Sequence, residues 1–182
     1  MPDLIRHPPS SSSAGEAKVE PLSGVTVLEG IRTMTDEPRL FTSDAAIRSL
    51  GERMLACTLA KAEWTHEAHL ATTLWLVVER PDIVPERDLP HLIRRYNESV
   101  GGVNSDTEGY HETITQCFLR GVRGYLARTD ASLPLVEKAN GLLLAEEGQR
   151  DWPLPFYSRE LLFSVEARRG WVEPDLAEVP DA

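Results

Sequence analysis

Thr65-His66-Glu67-Ala68-His69-Leu70-Ala71-Thr72-Thr73-Leu74-Trp75-Leu76-Val77-Val78-Glu79 reads as an amphipathic helix that opens on two histidines. Thr65 offers an oxygen to the unpaired N–H groups of a helix start, and Glu67 suits the positive end of the helix dipole. Leu70, Leu74, Val77 and Val78 carry the helical period, and Pro81 stops it.

Working outward, the same signals recur on both sides. Upstream, Thr42-Ser43-Asp44 supplies N-cap oxygens before Ile47, Leu50, Met54, Leu55 and Thr58, which predicts a helix over 45–61. Downstream, Asp88 is expected to cap a third helix with Pro90 in its first turn. Leu92, Ile93, Tyr96 and Val100 form its stripe, and Gly101-Gly102 ends it. A polar, turn-like segment over 103–109 leads to a fourth helix over about 110–128, with Ile114, Phe118, Val122, Tyr125 and Leu126 facing inward. Ser132 is expected to cap a fifth, running through Leu135, Val136, Ala139, Leu142 and Leu143. After Trp152-Pro153-Leu154-Pro155, Ser158 and Ser164 start one or two short helical pieces. Moderate helices joined by short loops predict an all-α fold, a compact bundle of about five helices over residues 36–176.

The ends read differently. Pro8-Pro9-Ser10-Ser11-Ser12-Ser13-Ala14-Gly15 is low in complexity, so residues 1–35 are expected to form a disordered tail. Val25-Thr26-Val27-Leu28 within it has weak extended character. The acidic, proline-bearing end over 177–182 is expected to fray.

With 41% hydrophobic and 26% charged residues in 182, the chain can build a core and stay soluble. Its formal net charge of -10 disfavours nucleic acid and anionic membrane as partners. No apolar run approaches the roughly 20 residues of a spanning helix, and residues 1–24 lack the pattern of a secretory signal. Two cysteines, Cys57 and Cys117, do not make a disulfide framework; both sit in apolar helical patterns and read as small buried hydrophobes kept reduced. The expected compartment is the cytoplasm.

Chemistry concentrates on histidine. His66 and His69 are three apart and share a helix face, and His111 opens another helix beside Glu112. Were the second and fourth helices to start at one end of the bundle, the three imidazoles would converge as ligands for one divalent metal. Zn²⁺ would take three histidines and water; Fe²⁺ would take two histidines and a carboxylate. Glu112 would then be a fourth ligand or the general base, with Tyr110 and Thr115 beside it as further catalytic candidates. Trp64, Arg95, Tyr96, Asn97, Asn104 and Thr113 would shape the pocket of an unknown small molecule.

Two other readings stay open. Helix N-termini favour anions over cations, so the same cluster suits a small anionic metabolite held without turnover. Alternatively, the histidines serve only helix packing. H-x-x-H lacks the spacing of the H-E-x-x-H zincins, and no G-x-S-x-G, phosphate-binding glycine loop or C-x-x-C is present, so no nucleotide cofactor is expected.

The segments Trp64 to Leu70, Arg95-Tyr96-Asn97, Gly101, Asn104 and Gly109 to Thr115 resemble an uncharacterised family of small bacterial proteins. That family pairs a T-H-x-x-H-[LV] helix start with a Y-H-E-T-[IL]-T helix start. The C-terminal stretches 157–162 and 167–176 are similar to its ending, so the resemblance covers about 63–176. It implies no reaction; it marks His66, His69, His111, Glu112, Thr113 and Thr115 as matched positions.

Overall fold

The structure, a computed structural model, describes residues 37–180; the expected tail over 1–35, with its extended piece at 25–28, lies outside the described residues, as do 181–182. The described chain is all-helical. Seven helices follow in order: α1 (Asp44–Leu55), α2 (His66–Glu79), α3 (Pro85–Ser99), α4 (Glu112–Ala127), α5 (Leu135–Leu144), α6 (Arg159–Leu162) and α7 (Val165–Arg169). Two 3₁₀ turns, Lys61–Glu63 and Glu146–Gly148, precede α2 and follow α5. No strand occurs among the described residues. None of their helices is long and apolar enough to cross a membrane.

α2 and α4 form the centre. α2 packs on α1, α4 and α5, and α4 reaches α2, α3, α5 and α7. This position explains why the buried face of α2 is wider than the sequence stripe. Ala68, Leu70, Ala71, Leu74, Trp75 and Leu76 are all buried, whereas Val78, expected to face inward, is 39% exposed. A helix enclosed from several sides needs apolar residues around most of its girth. α1 approaches α2 at Gly51, where a Cβ would overlap the Trp75 ring. The main core gathers Leu70, Ala71, Leu74, Trp75 and Leu76 with Ile47, Leu89, Leu119, Val122 and Leu142, while Ala68 packs with Leu50, Met54, Leu59 and Tyr96. A second cluster holds Cys117, Trp152, Phe156, Tyr157, Leu162 and Val179, so packed chain continues to Val179.

Helix boundaries depart from the sequence reading in three places. α1 ends at Leu55 rather than near residue 61. The Thr58 N–H donates to the Arg53 carbonyl at 2.8 Å and the Cys57 N–H to the Met54 carbonyl at 3.0 Å. This closes a Schellman turn with Cys57 in the left-handed conformation, φ 58°. Cys57 therefore lies beyond the helix and is half-buried; no glycine announced the stop. α3 ends in the same turn built with Gly101 at φ 76°, as expected.

α3 begins at Pro85, earlier than expected, because Pro85 fits the first helical position and Asp88 reaches back to accept the Val84 N–H at 2.8 Å. Pro90 thus stands inside the helix. Lacking an N–H, it frees the carbonyl of Glu86, and Gln116 Nε2 of α4 donates to that oxygen at 3.1 Å. α5 starts after Pro134 rather than Ser132, whose N–H and hydroxyl both bond Asp130 at 2.8 Å in a local turn.

Candidate functional site

The two histidine-bearing helix starts are capped in different ways. At α2 the Thr65 hydroxyl oxygen accepts the Ala68 N–H, so His66 is the first helical residue and its ring is free for tertiary contact. At α4 the cap is His111 itself: its Nδ1 accepts the Ile114 N–H at 3.3 Å. A ring nitrogen that accepts carries no proton, so Nε2 holds it and donates to the Leu162 carbonyl at 2.9 Å. Both nitrogens of His111 are occupied, and the residue is buried.

His66 and His69 line a cavity of about 300 Å³ between α2, α3, α4 and the segment after α5. Leu70, Ile93, Ile114 and Phe118 form its apolar walls, and Thr73, Thr115 and Arg150 add polar groups. His66 Nε2 meets the Gly148 carbonyl at 2.8 Å, and the ring packs edge-on against Phe118. A carbonyl only accepts, so His66 carries its proton on Nε2 and keeps Nδ1 as a lone-pair nitrogen. Burial holds His66 below the ordinary histidine range, and nearby Arg150 adds to the effect.

His69 stacks beneath Trp64, ring centroids 3.9 Å apart and tilted by 31°. The residue keeps some exposed surface, yet its ring is surrounded by protein. That desolvation, with His66 alongside, pushes it down to about 3. Both imidazoles are therefore neutral at pH 7. A general base works best with a pKa near the working pH, so His69 is suited to hydrogen bonding rather than proton abstraction.

The expected three-histidine metal set is not assembled. His111 does not line this cavity and has no lone pair to offer. Among the described residues, no group of three or more histidine, cysteine, aspartate or glutamate side chains is placed to hold a metal ion.

The catalytic candidates divide in the same way. Thr115 lines the histidine cavity. Glu112 instead accepts the Tyr110 hydroxyl at 2.8 Å and Gln116 Nε2 at 2.9 Å. It opens onto a separate depression with Arg120, Arg123 and Trp171. Tyr110 is buried under the Arg94 guanidinium, 4.2 Å from its ring centre, and burial together with Glu112 raises its hydroxyl above the usual range.

The expected pocket residues are mostly scaffold. Arg95 donates to the Leu55 carbonyl at 2.6 Å, satisfying the end of α1. The Tyr96 hydroxyl donates to the Leu59 carbonyl. Asn97 Nδ2 donates to Asn104 Oδ1 at 3.1 Å, and Asn104 holds the 103–109 loop through Arg94, Glu98 and Tyr110. Thr113, fully buried, donates to the Gly170 carbonyl at 2.8 Å and accepts the Val172 N–H at 3.2 Å. Trp64 acts on the cavity only by covering His69; its own Nε1 is buried without an acceptor.

Tyr110-His111-Glu112-Thr113 is thus where the C-terminal segment docks. Arg168 reinforces it by donating to the carbonyls of Gly109 and Tyr110, and Arg169 by pairing with Asp106 at 2.8 Å. Sequence reasoning missed Arg150, which a loop delivers from far along the chain. It also missed the Ile114/Phe118 pair, whose i,i+4 spacing was read only as core. Cys117 contributes no nucleophile: burial pushes its thiol up to about 12.

No family model, curated protein or solved structure matches this chain.

Proposed function

We propose that this protein is a small-molecule binding module, and that its ligand occupies the cavity carrying His66 and His69. The observation that carries the reading is the pairing of two neutral imidazoles and two threonine hydroxyls with aliphatic and aromatic walls. Ligand pockets combine a mostly apolar lining with a few placed polar groups in this way. The low basicity of His69 and the inert Cys117 thiol favour holding a molecule over transforming it. We place the module in the cytoplasm, where two unpaired thiols are kept reduced.

The test is methyl NMR of the full chain with a panel of small organic probes. Saturable shifts at Leu70, Ile93 and Ile114 support the reading. Probes at millimolar concentration that leave all three methyl sets unmoved refute it.

One observation favours a second reading. The His66 Nε2–H held by a backbone carbonyl is the arrangement that orients a metal-ligating imidazole, with Nδ1 as the donor to the metal. Zinc or iron on His66 and His69 would supply hydrolytic or oxidative chemistry. It stands second because Glu67, the adjacent carboxylate, is bonded to the Thr65 hydroxyl at 2.6 Å and paired with Arg150 at 3.5 Å. Elemental analysis of protein purified without a nickel column decides it. Stoichiometric zinc or iron that vanishes in His66→Ala/His69→Ala supports the metal; none after reconstitution removes it.

A further inference from the structure

We infer that the cavity takes a small uncharged molecule with an apolar body and one hydroxyl, an alcohol or phenol held at that hydroxyl by His69 and Thr73. This rests on the binding reading above and adds what is bound.

His69 and Thr73 stand four residues apart on α2, so they are neighbours on one helix face, and both line the cavity. Among the described residues, no hydrogen bond reaches the His69 ring or the Thr73 hydroxyl. The polar side-chain atoms sealed from solvent without a partner are Trp64 Nε1, Thr72 Oγ1, Glu147 Oε2 and Trp152 Nε1. The polar atoms of His69 and Thr73 therefore keep contact with accessible space, and the cavity is the space that both residues line. The rest of the polar lining already has protein partners: His66 holds the Gly148 carbonyl, Thr115 has Tyr110 beside it, and Arg150 pairs with Glu67.

The charge of the lining is answered within the protein. Arg150 pairs with Glu67 at 3.5 Å, makes a further interaction, and keeps its side chain 59% exposed. Burial holds both imidazoles neutral. An ionised ligand would give up water against Leu70, Ile93, Ile114 and Phe118 with no unmatched opposite charge on the wall. What the ligand supplies is hydrogen bonding. A neutral imidazole offers one donor and one acceptor, and a threonine hydroxyl does both. A ligand hydroxyl also donates and accepts, so one oxygen serves the two residues together. A ketone or ether oxygen only accepts and leaves the imidazole lone pair unmatched. The apolar walls call for a hydrocarbon body. At the roughly 30 Å³ that a water molecule occupies in the liquid, the cavity admits a ligand of about ten heavy atoms.

The experiment is calorimetric titration of the full chain with 2-phenylethanol, ethylbenzene, phenylacetate and 2-phenylethylammonium. Leu70, Ile93 and Ile114 methyl shifts give the location. The alcohol is expected to bind about tenfold more tightly than ethylbenzene, and about tenfold or more above either ion, the effect of one polar group matched or left unmatched. Thr73→Val, with a near-UV spectrum like the parent's, keeps the side-chain shape and removes the hydroxyl. It should erase most of the advantage of the alcohol over ethylbenzene. Ethylbenzene or either ion binding as tightly as the alcohol, or an undiminished advantage in Thr73→Val, overturns the inference while the methyl shifts keep the cavity as a binding site. If none of the four probes moves those methyls, the binding reading itself fails and this inference falls with it.

Discussion

The starts of α2 and α4 are alike in composition and opposite in use. Each offers threonine, histidine and glutamate within a few residues, and each leads into a central helix. At α2 the threonine caps, which leaves His66 and His69 for the cavity. At α4 the histidine caps, which binds one ring nitrogen to the backbone of its own helix and sends the other to Leu162. Thr113, relieved of capping, becomes the clip for Gly170 and Val172. One position of difference in the cap converts a cavity-lining histidine into a structural one.

If that contrast is right, the α4 start carries stability and substitutions there should be costly. Thr113→Val leaves the Gly170 carbonyl and the Val172 N–H without their partner, and should lower unfolding stability by about 3 kcal/mol in urea denaturation. A loss below about 1 kcal/mol would mean that the C-terminal segment is held elsewhere.

His111→Ala removes the cap and the Leu162 contact, an expected loss of about 2 kcal/mol. His111→Asn restores a capping oxygen and should recover about 1 kcal/mol of it. Equal losses in the two variants would show that the cap is not what His111 contributes.

Acid sharpens the comparison at the α2 start. His66, His69 and His111 are all held below the ordinary histidine range, chiefly by burial. The unfolded chain therefore binds their protons first, and stability that is fully present above about pH 6.5 is lost as pH falls. The window is widest for His69, from about 6.5 to about 3. A denaturation series in pH should show this limb, and His69→Gln should flatten its lower part. An unchanged slope in that variant would place the burden on the carboxylates.

The smallest effect concerns the end of the helix that packs on α2. Cys57 occupies a left-handed position that Gly101 fills at the matching turn of α3. Cys57→Gly should stabilise by about 0.5–1 kcal/mol, the relief of strain less the added freedom of the unfolded chain. A loss of stability would show that the thiol packs usefully.

Much of the fold was legible because its signals are local. The Thr65, Ser158 and Ser164 caps form as the sequence predicts, and so does the Gly101 stop. Errors arose where a distant group decided the outcome. Pro90 is tolerated inside α3 because Gln116, on another helix, takes the carbonyl it frees. α1 stops at a turn whose left-handed residue is not glycine.

The site was legible in part. His66 and His69, three apart on one helix face, do line one cavity, and Thr115 reaches the same cavity from α4. Arg95, Asn97, Asn104, Glu112 and Thr113 carried the same polar signal but meet backbone or other side chains of the protein instead. Residue type shows that a polar group needs a partner; only the fold shows whether protein or ligand supplies it.

The most direct measurement of the central contrast is a pH series of imidazole ¹⁵N spectra of the full chain. The account predicts that His111 shows a protonated Nε2 whose hydrogen exchanges only on unfolding, while His69 stays neutral to near pH 3 without a hydrogen-bonded partner. Ring hydrogens that exchange freely at His111, with both residues titrating together near the ordinary histidine value, would contradict it.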